Sequence, residues 1–135
     1  MKTMLVAIIV VLSYISCGKQ SAVSKKLSGC DSLVIIFNKP NTDEVVNMVS
    51  TTDKKAIRKL TGFLDGKEMD RSQCGYDGHM IFYKNGQRVM PVVFNFNEKD
   101  CHHFLFDIDN KNSSTIMSNE EMDFLTSLKE GKTWY

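Results

Sequence analysis

No G-x-S-x-G elbow, no C-x-x-C pair and no H-x-x-x-H pair occurs in these 135 residues. The first absence removes the commonest serine-hydrolase arrangement. The other two remove the usual local frameworks for zinc. There are only three histidines, and the two prolines leave most of the chain free to form regular strands and helices. A charge excess is lacking as well, with 17 Lys and Arg against 16 Asp and Glu. A balanced chain makes no overall electrostatic case for nucleic acid or anionic lipid, so neither is expected as a partner. No repeat or low-complexity segment is present. The longest apolar run, Met4–Ile15, holds twelve residues, short of the roughly 20 that a spanning helix needs.

That run follows a basic residue, Lys2, and leads into Ser16-Cys17, which is the layout of an export signal. MKTMLVAIIVVLSYISC resembles the signal of a bacterial lipoprotein, in which signal peptidase II cuts before a cysteine that carries lipid. Tyr14 stands where that signal usually has Leu; Bacteroidetes-type lipoproteins are looser there. The resemblance covers these residues alone. It implies removal of residues 1–16, a thioether-linked diacylglycerol on Cys17, usually with a third acyl chain, and stable membrane anchoring. Residues 17–29 are then expected as the lipidated cysteine and a flexible polar tether without apolar period. No acidic run follows Cys17 of the kind that marks surface-exported Bacteroidetes lipoproteins, which favours a periplasm-facing envelope position. An ordinary signal cleaved nearby would instead release a soluble secreted protein. Loss of residues 1–16 removes Lys2 and leaves sixteen basic and sixteen acidic side chains.

Residues 30–135 suffice for one domain with a single core. Export puts Cys30, Cys74 and Cys101 in an oxidising compartment, where pairing is the default. Cys74 and Cys101 fall at the same end of the strand pattern described next, so the expected bridge is Cys74–Cys101. Cys30 is then left as a small buried apolar residue.

Ser72–Asp107 reads as a three-stranded antiparallel meander. Asn85-Gly86 supplies the two positive-φ positions of a type I′ turn, which folds Gly78–Lys84 onto Gln87–Phe96. Lys84 then faces Gln87, Phe82 faces Val89, and His79 faces Val92. A second turn at Asn97–Asp100 brings in Cys101–Ile108. Pro91 cannot donate to a ladder and demands an edge or a bulge. Asp31–Lys39 and Glu44–Ser50 read as two earlier strands. Thr52-Asp53 caps a helix carrying Ala56, Ile57, Leu60, Phe63 and Leu64, with Gly66 where a C′ glycine would end it. Asp109–Ser114 reads as a loop. Ser118 and Glu121 fit a capping box ahead of Met122, Leu125 and Leu128, and Gly131 closes that helix. The expected fold is α+β, a two-layer domain of order β-β-α-β-β-β-α, with two helices on one face of an antiparallel sheet.

The candidate chemistry is sparse. His79 and His103 share a face and invite a zinc reading with Cys74 or Cys101, but adjacent His102 and His103 point apart. The adjacency of Cys101 and His102 likewise denies a nucleophile–base pair. Asp107–Asn112 alternates oxygen ligands as a calcium loop does but lacks its central glycine and terminal acid. No catalytic residue, metal ligand or cofactor is therefore assigned. The aromatics Tyr76, Phe82, Tyr83, Phe94 and Phe96 suit either a core or a recognition surface. Tyr76, Asp77, His79 and Arg88 are the candidate contact residues. The expected function is a small non-enzymatic envelope lipoprotein that binds a protein or small ligand. The alternatives are an accessory subunit of an envelope assembly, working through a sheet edge or the Trp134-Tyr135 tail, and a metal-binding protein.

Overall fold

The computed structural model describes residues 21–69, 74–132 and 134. The expected signal, the expected lipidation site Cys17 and Tyr135 lie outside the described residues. The elements are α1 (Ala22–Leu27), β1 (Ser32–Asn38), β2 (Val45–Thr51), α2 (Lys54–Leu64), β3 (Gly78–Lys84), β4 (Gln87–Asn95), β5 (His103–Ile108), β6 (Lys111–Ile116) and α3 (Asn119–Lys129). The fold is α+β. All six strands form one antiparallel sheet in the order β2-β1-β3-β4-β5-β6.

Two elements correct the sequence reading. Ala22–Leu27, expected within a flexible tether, is a helix: Ser21 caps it by accepting the Ser24 N–H, and Val23 and Leu27 are buried. An i, i+4 apolar pair is the shortest stripe that can dock a turn of helix. Lys111–Ile116, expected largely as loop, is a sixth strand paired with β5. Asp109 and Asn110 both take positive φ, 50° and 62°, which makes them the two-residue turn of a hairpin.

The β3–β4 hairpin turns at Asn85-Gly86 as expected, with Lys84 opposite Gln87. Beyond Arg88 its register differs by one residue: Phe82 faces Met90 and His79 faces Val93. A register shift between Phe82 and Tyr83 leaves Val89 as the extra residue of a bulge. A one-residue slip exchanges faces, so Met90, Val92 and Phe94 join Met80 and Phe82, while Val93 joins Ile81. Pro91 pairs with Ile81 of β3, and the β4–β5 ladder begins only at Val92.

The face so defined carries Leu33, Ile35, Phe37, Met80, Phe82, Met90, Val92, Phe94, Phe104 and Phe106, all buried. They form one cluster with Val23 and Leu27 of α1, Ile57, Leu60 and Leu64 of α2, and Leu125 and Leu128 of α3. Phe37 meets Phe94 edge to face at 5.8 Å. Gly78 is required between them, because a Cβ there would collide with the Ile36 carbonyl and the Phe94 ring. Asp53 caps α2 by accepting the Lys55 and Ala56 N–H groups. Gly66 follows the end of α2 without a positive φ; it lets the chain approach Ile116 O, 3.1 Å from where its Cβ would stand. Ser118 and Glu121 form the expected capping box of α3, and Trp134 packs back on Phe124 with ring centroids 6.4 Å apart.

Candidate functional site

The end of the sheet at which β1 and β4 finish is where loops converge. Cys74 and Cys101 form the expected disulfide, with Cα atoms 5.8 Å apart. It ties the segment before β3 to the turn between β4 and β5. Asn41 links three loops: its Oδ1 accepts the Tyr76 N–H (3.1 Å), its own N–H donates to Tyr76 O (2.9 Å), and its Nδ2 donates to Glu98 Oε1 (3.4 Å). Gly75 is needed at this crossing, since a Cβ there would strike the Asn41 side chain.

The four candidate contact residues do not converge. Tyr76 donates its hydroxyl to Asp43 Oδ1 (3.0 Å), a bond that raises the phenol's pKa. Asp77 is buried, and its Oδ2 accepts the N–H groups of Phe96 (2.7 Å) and Asn97 (2.9 Å), which braces the β4–β5 turn. His79 sits half-buried on the sheet face opposite the core. Arg88 pairs with Tyr83 near the far hairpin, about 20 Å along β3 from Asp77. A ligand would have to span the sheet to touch both Tyr76 and Arg88.

His79 and His103 do share a face, but β4 runs between their strands, which sets them roughly 10 Å apart. Among the described residues neither belongs to a group of three or more side chains placed to hold a metal ion. Cys74, Glu98 and Cys101 group their ligand atoms within 4.8 Å of one another, yet the two sulfurs are bonded together and offer no thiolate. Burial pushes the Cys30 thiol up, with Asp31 adding to it and Lys84 opposing, as befits an unreactive core cysteine.

A row of buried polar side chains crosses the sheet beside the disulfide: Asn38, Asp77, Asn95 and His103. Asn95 Oδ1 accepts the Glu98 N–H at 3.1 Å. Among the described residues, Asn38 Oδ1, Asp77 Oδ1, Asn95 Nδ2 and both His103 ring nitrogens have no hydrogen-bond partner. Burial lowers the pKa of His103, against the pull of Glu98 and with a smaller push from His102. The row shapes the loop end but is sealed from ligands in solution.

The surface that is open lies elsewhere. Of the five exposed large apolar side chains among the described residues, three stand on β2: Val45 (56% exposed), Val46 (53%) and Met48 (62%). β2 is an edge strand, paired only with β1. Its sequence, VVNMVST, has no charge and no proline, the two residue types that usually blunt an edge. Asn47 is its one local guard: Nδ2 donates to Lys129 O (2.9 Å), and Oδ1 accepts the Met48 N–H (2.8 Å). Beside this edge a 520 Å³ cleft runs under α3, lined by Val46, Phe96, His102, Met122 and Lys129 among others. The apolar floor and charged rim suit one inserted side chain. On the non-core face, Val34, Ile36, Ile81, Val93 and Leu105 stay outside the core cluster. The alternation of β2 was legible in the sequence as a strand, but its edge position depends on long-range pairing and was not.

Among the described residues no helix is long and apolar enough to cross a membrane. No family model matches the chain, and comparison with curated proteins and with solved structures finds no match.

Proposed function

We propose that this protein is a non-enzymatic, lipid-anchored envelope module that binds a protein partner by adding the partner's extended strand to β2. The carrying observation is the uncharged edge strand, which carries the three most exposed large apolar side chains among the described residues. In strand addition, main-chain hydrogen bonds supply affinity and side-chain pockets supply specificity. A strand along β2 takes the Met48 N–H over from Asn47 and sends a side chain into the cleft under α3. Anchoring through Cys17 in a periplasm-facing membrane belongs to the same reading, as does a two-layer arrangement with the helices together on one face. Support for the latter is that residues from all three helices share the cluster of Leu33, Phe37 and Phe82. An accessory-subunit role uses the same edge and differs in the permanence of the partner.

Crosslinking of the full-length tagged protein in native membranes tests the reading. The expected result is one stoichiometric partner with the wild type and about tenfold less of it with Met48→Lys, a charge on the edge being the standard bar to pairing. Equal recovery with Met48→Lys, or no partner at all, overturns strand addition on β2.

A further inference from the structure

The charges that cancel over the whole chain do not cancel locally. Within their spans α1 and α2 carry Lys25, Lys26, Lys54, Lys55, Arg58 and Lys59, and no acidic residue. Among the described residues none of the six is ion-paired. Lys59 lies over the Phe124 ring at 4.0 Å, toward α3, and Lys26 lines a depression that includes Asp107 and Asp109. Lys54 and Arg58 instead line a 640 Å³ cleft between α1 and α2, with Leu27, Ile57 and Cys30 also in its wall. Lys84 reaches its end, with Nζ 3.1 Å from where a Gly29 Cβ would stand. The acids nearby are committed to local structure: Asp31 accepts the Asn85 N–H and Asp53 caps α2.

Helix electrostatics makes this arrangement costly to the isolated helix. Lys54 and Lys55 occupy the first turn of α2, the positive end of its dipole, where the capping carboxylate of Asp53 stands against two cations. Lys54–Arg58 and Lys55–Lys59 are like-charge i, i+4 pairs, which repel. A sequence chosen for helix stability would place Asp or Glu there, as α3 does with Glu120 and Glu121. Cations set against the local rule, and outnumbering the carboxylates of Asp31 and Asp53 beside them, point to an external anion.

We propose that the cationic outer side of α1 and α2, centred on Lys54, Lys55 and Arg58, docks on the anionic phospholipid headgroups of the bilayer that holds the chain. The location rests on the lipoprotein reading: Cys17 and Ala22 are five residue steps apart, a reach of at most about 18 Å. The helices therefore stay close to the headgroups, where a basic segment gains from anionic lipid and acts as a second anchoring signal beside the acyl chains. The expectation from whole-chain charge that anionic lipid is no partner is thereby replaced for this surface.

The test uses the mature protein purified from its membranes, its N-terminus first identified by mass spectrometry. It is placed on nanodiscs of phosphatidylcholine alone or with phosphatidylglycerol added, and lysine acetylation is read residue by residue. Lys54 and Lys55 are expected to lose about fivefold in labelling on the anionic discs only, with labelling restored by high salt. Lys39 and Lys99, on distant loops, are expected to be unchanged. Equal labelling on both discs, or protection of Lys39 and Lys99 to the same degree, overturns the proposal. So does restoration by inorganic phosphate at low ionic strength, which assigns a free-phosphate site, or by a DNA duplex, which assigns nucleic acid. A mass without diacylglycerol on Cys17 overturns the lipoprotein reading separately, and the same footprint with free vesicles still decides the docking.

Discussion

The two edges of the sheet are treated in opposite ways. At β6 the chain that follows α2 runs alongside as a strap: Lys67 O accepts the Ile116 N–H (2.8 Å), the Met69 N–H donates to Ser114 O (3.0 Å), and Glu68 bridges Thr115. The strand beneath it, KNSSTI, is mostly polar. At β2 there is no strap among the described residues, only Asn47 guarding one N–H, and the exposed side chains are Val45, Val46, Met48 and Ser50. An open edge is an aggregation hazard that folded proteins usually suppress. A molecule that covers one edge and leaves the other bare and greasy has a use for the bare one, and that contrast underlies the proposed strand addition.

The largest way to break the contrast is through the disulfide. Past Met69 the sequence runs on to Cys74, which is bonded to Cys101. Replacing both cysteines with alanine is expected to cost about 3 kcal/mol of stability, from the loop closure that the unfolded chain no longer carries. Urea denaturation gives the cost, and hydrogen exchange of Ile116 reports whether the β6 edge opens with it. A loss below about 1 kcal/mol would show that the strap is held by its hydrogen bonds alone.

Next in size is Met69→Pro, which removes the N–H that donates to Ser114 O. The expected loss is about 1–3 kcal/mol, with faster exchange at Thr115 and Ile116 and none at Val49. Met69→Ala keeps the backbone bond and is the matched control. Equal loss in both variants would assign the effect to the side chain and not to the strap.

The third prediction concerns His103, which pairs with Ile116 of β6 and so lies on the covered side. Its imidazole is buried, neither nitrogen has a partner among the described residues, and burial holds its pKa below the ordinary 6.5. The unfolded chain takes up a proton as pH falls below about 6.5, where the folded state refuses it. This contribution is therefore intact above that pH and is lost progressively as pH falls toward the lowered folded value. The slope is at most about 1.4 kcal/mol per pH unit. The stability difference between wild type and His103→Leu should change with pH in that window. A difference that stays constant would mean that the imidazole keeps its ordinary pKa in the fold.

These edges explain which parts of the molecule could be read in advance. Asn85-Gly86, the Ser118–Glu121 capping box and the Cys74–Cys101 pairing were legible because each rests on residues with few conformational alternatives. β6 was not, because Asn112, Ser113 and Ser114 carry no strand propensity and become a strand only through pairing with β5. Its one local signal was Asp109-Asn110, two residues that tolerate positive φ. α1 was missed because two buried residues are too few to show a period. The Val89 bulge was implied by Pro91, but its position is set by which face the core needs. The spread of the candidate contacts was hidden for a similar reason: Tyr76, Asp77, His79 and Arg88 are near in sequence, yet strand geometry separates Tyr76 from Arg88. The β2 edge and the α1–α2 charge asymmetry are properties of the assembled sheet and helices.

The smallest effect on stability carries the sharpest comparison. Met48→Lys on the bare edge and Ile116→Lys on the strapped one each put a charge at an exposed apolar position, so both should leave the unfolding free energy within about 0.5 kcal/mol of wild type. Their effects on association should differ. β2 offers an unpaired main-chain row that a second strand can join, and a lysine there opposes that approach. β6 already has its partner in the strap, so Ile116→Lys removes nothing that another chain was using. Sedimentation velocity of the purified protein over rising concentration should therefore show less self-association for Met48→Lys only. If Ile116→Lys lowers it equally, the exposed sheet face and not the β2 edge is the sticky surface, and the partner strand would have to be sought there.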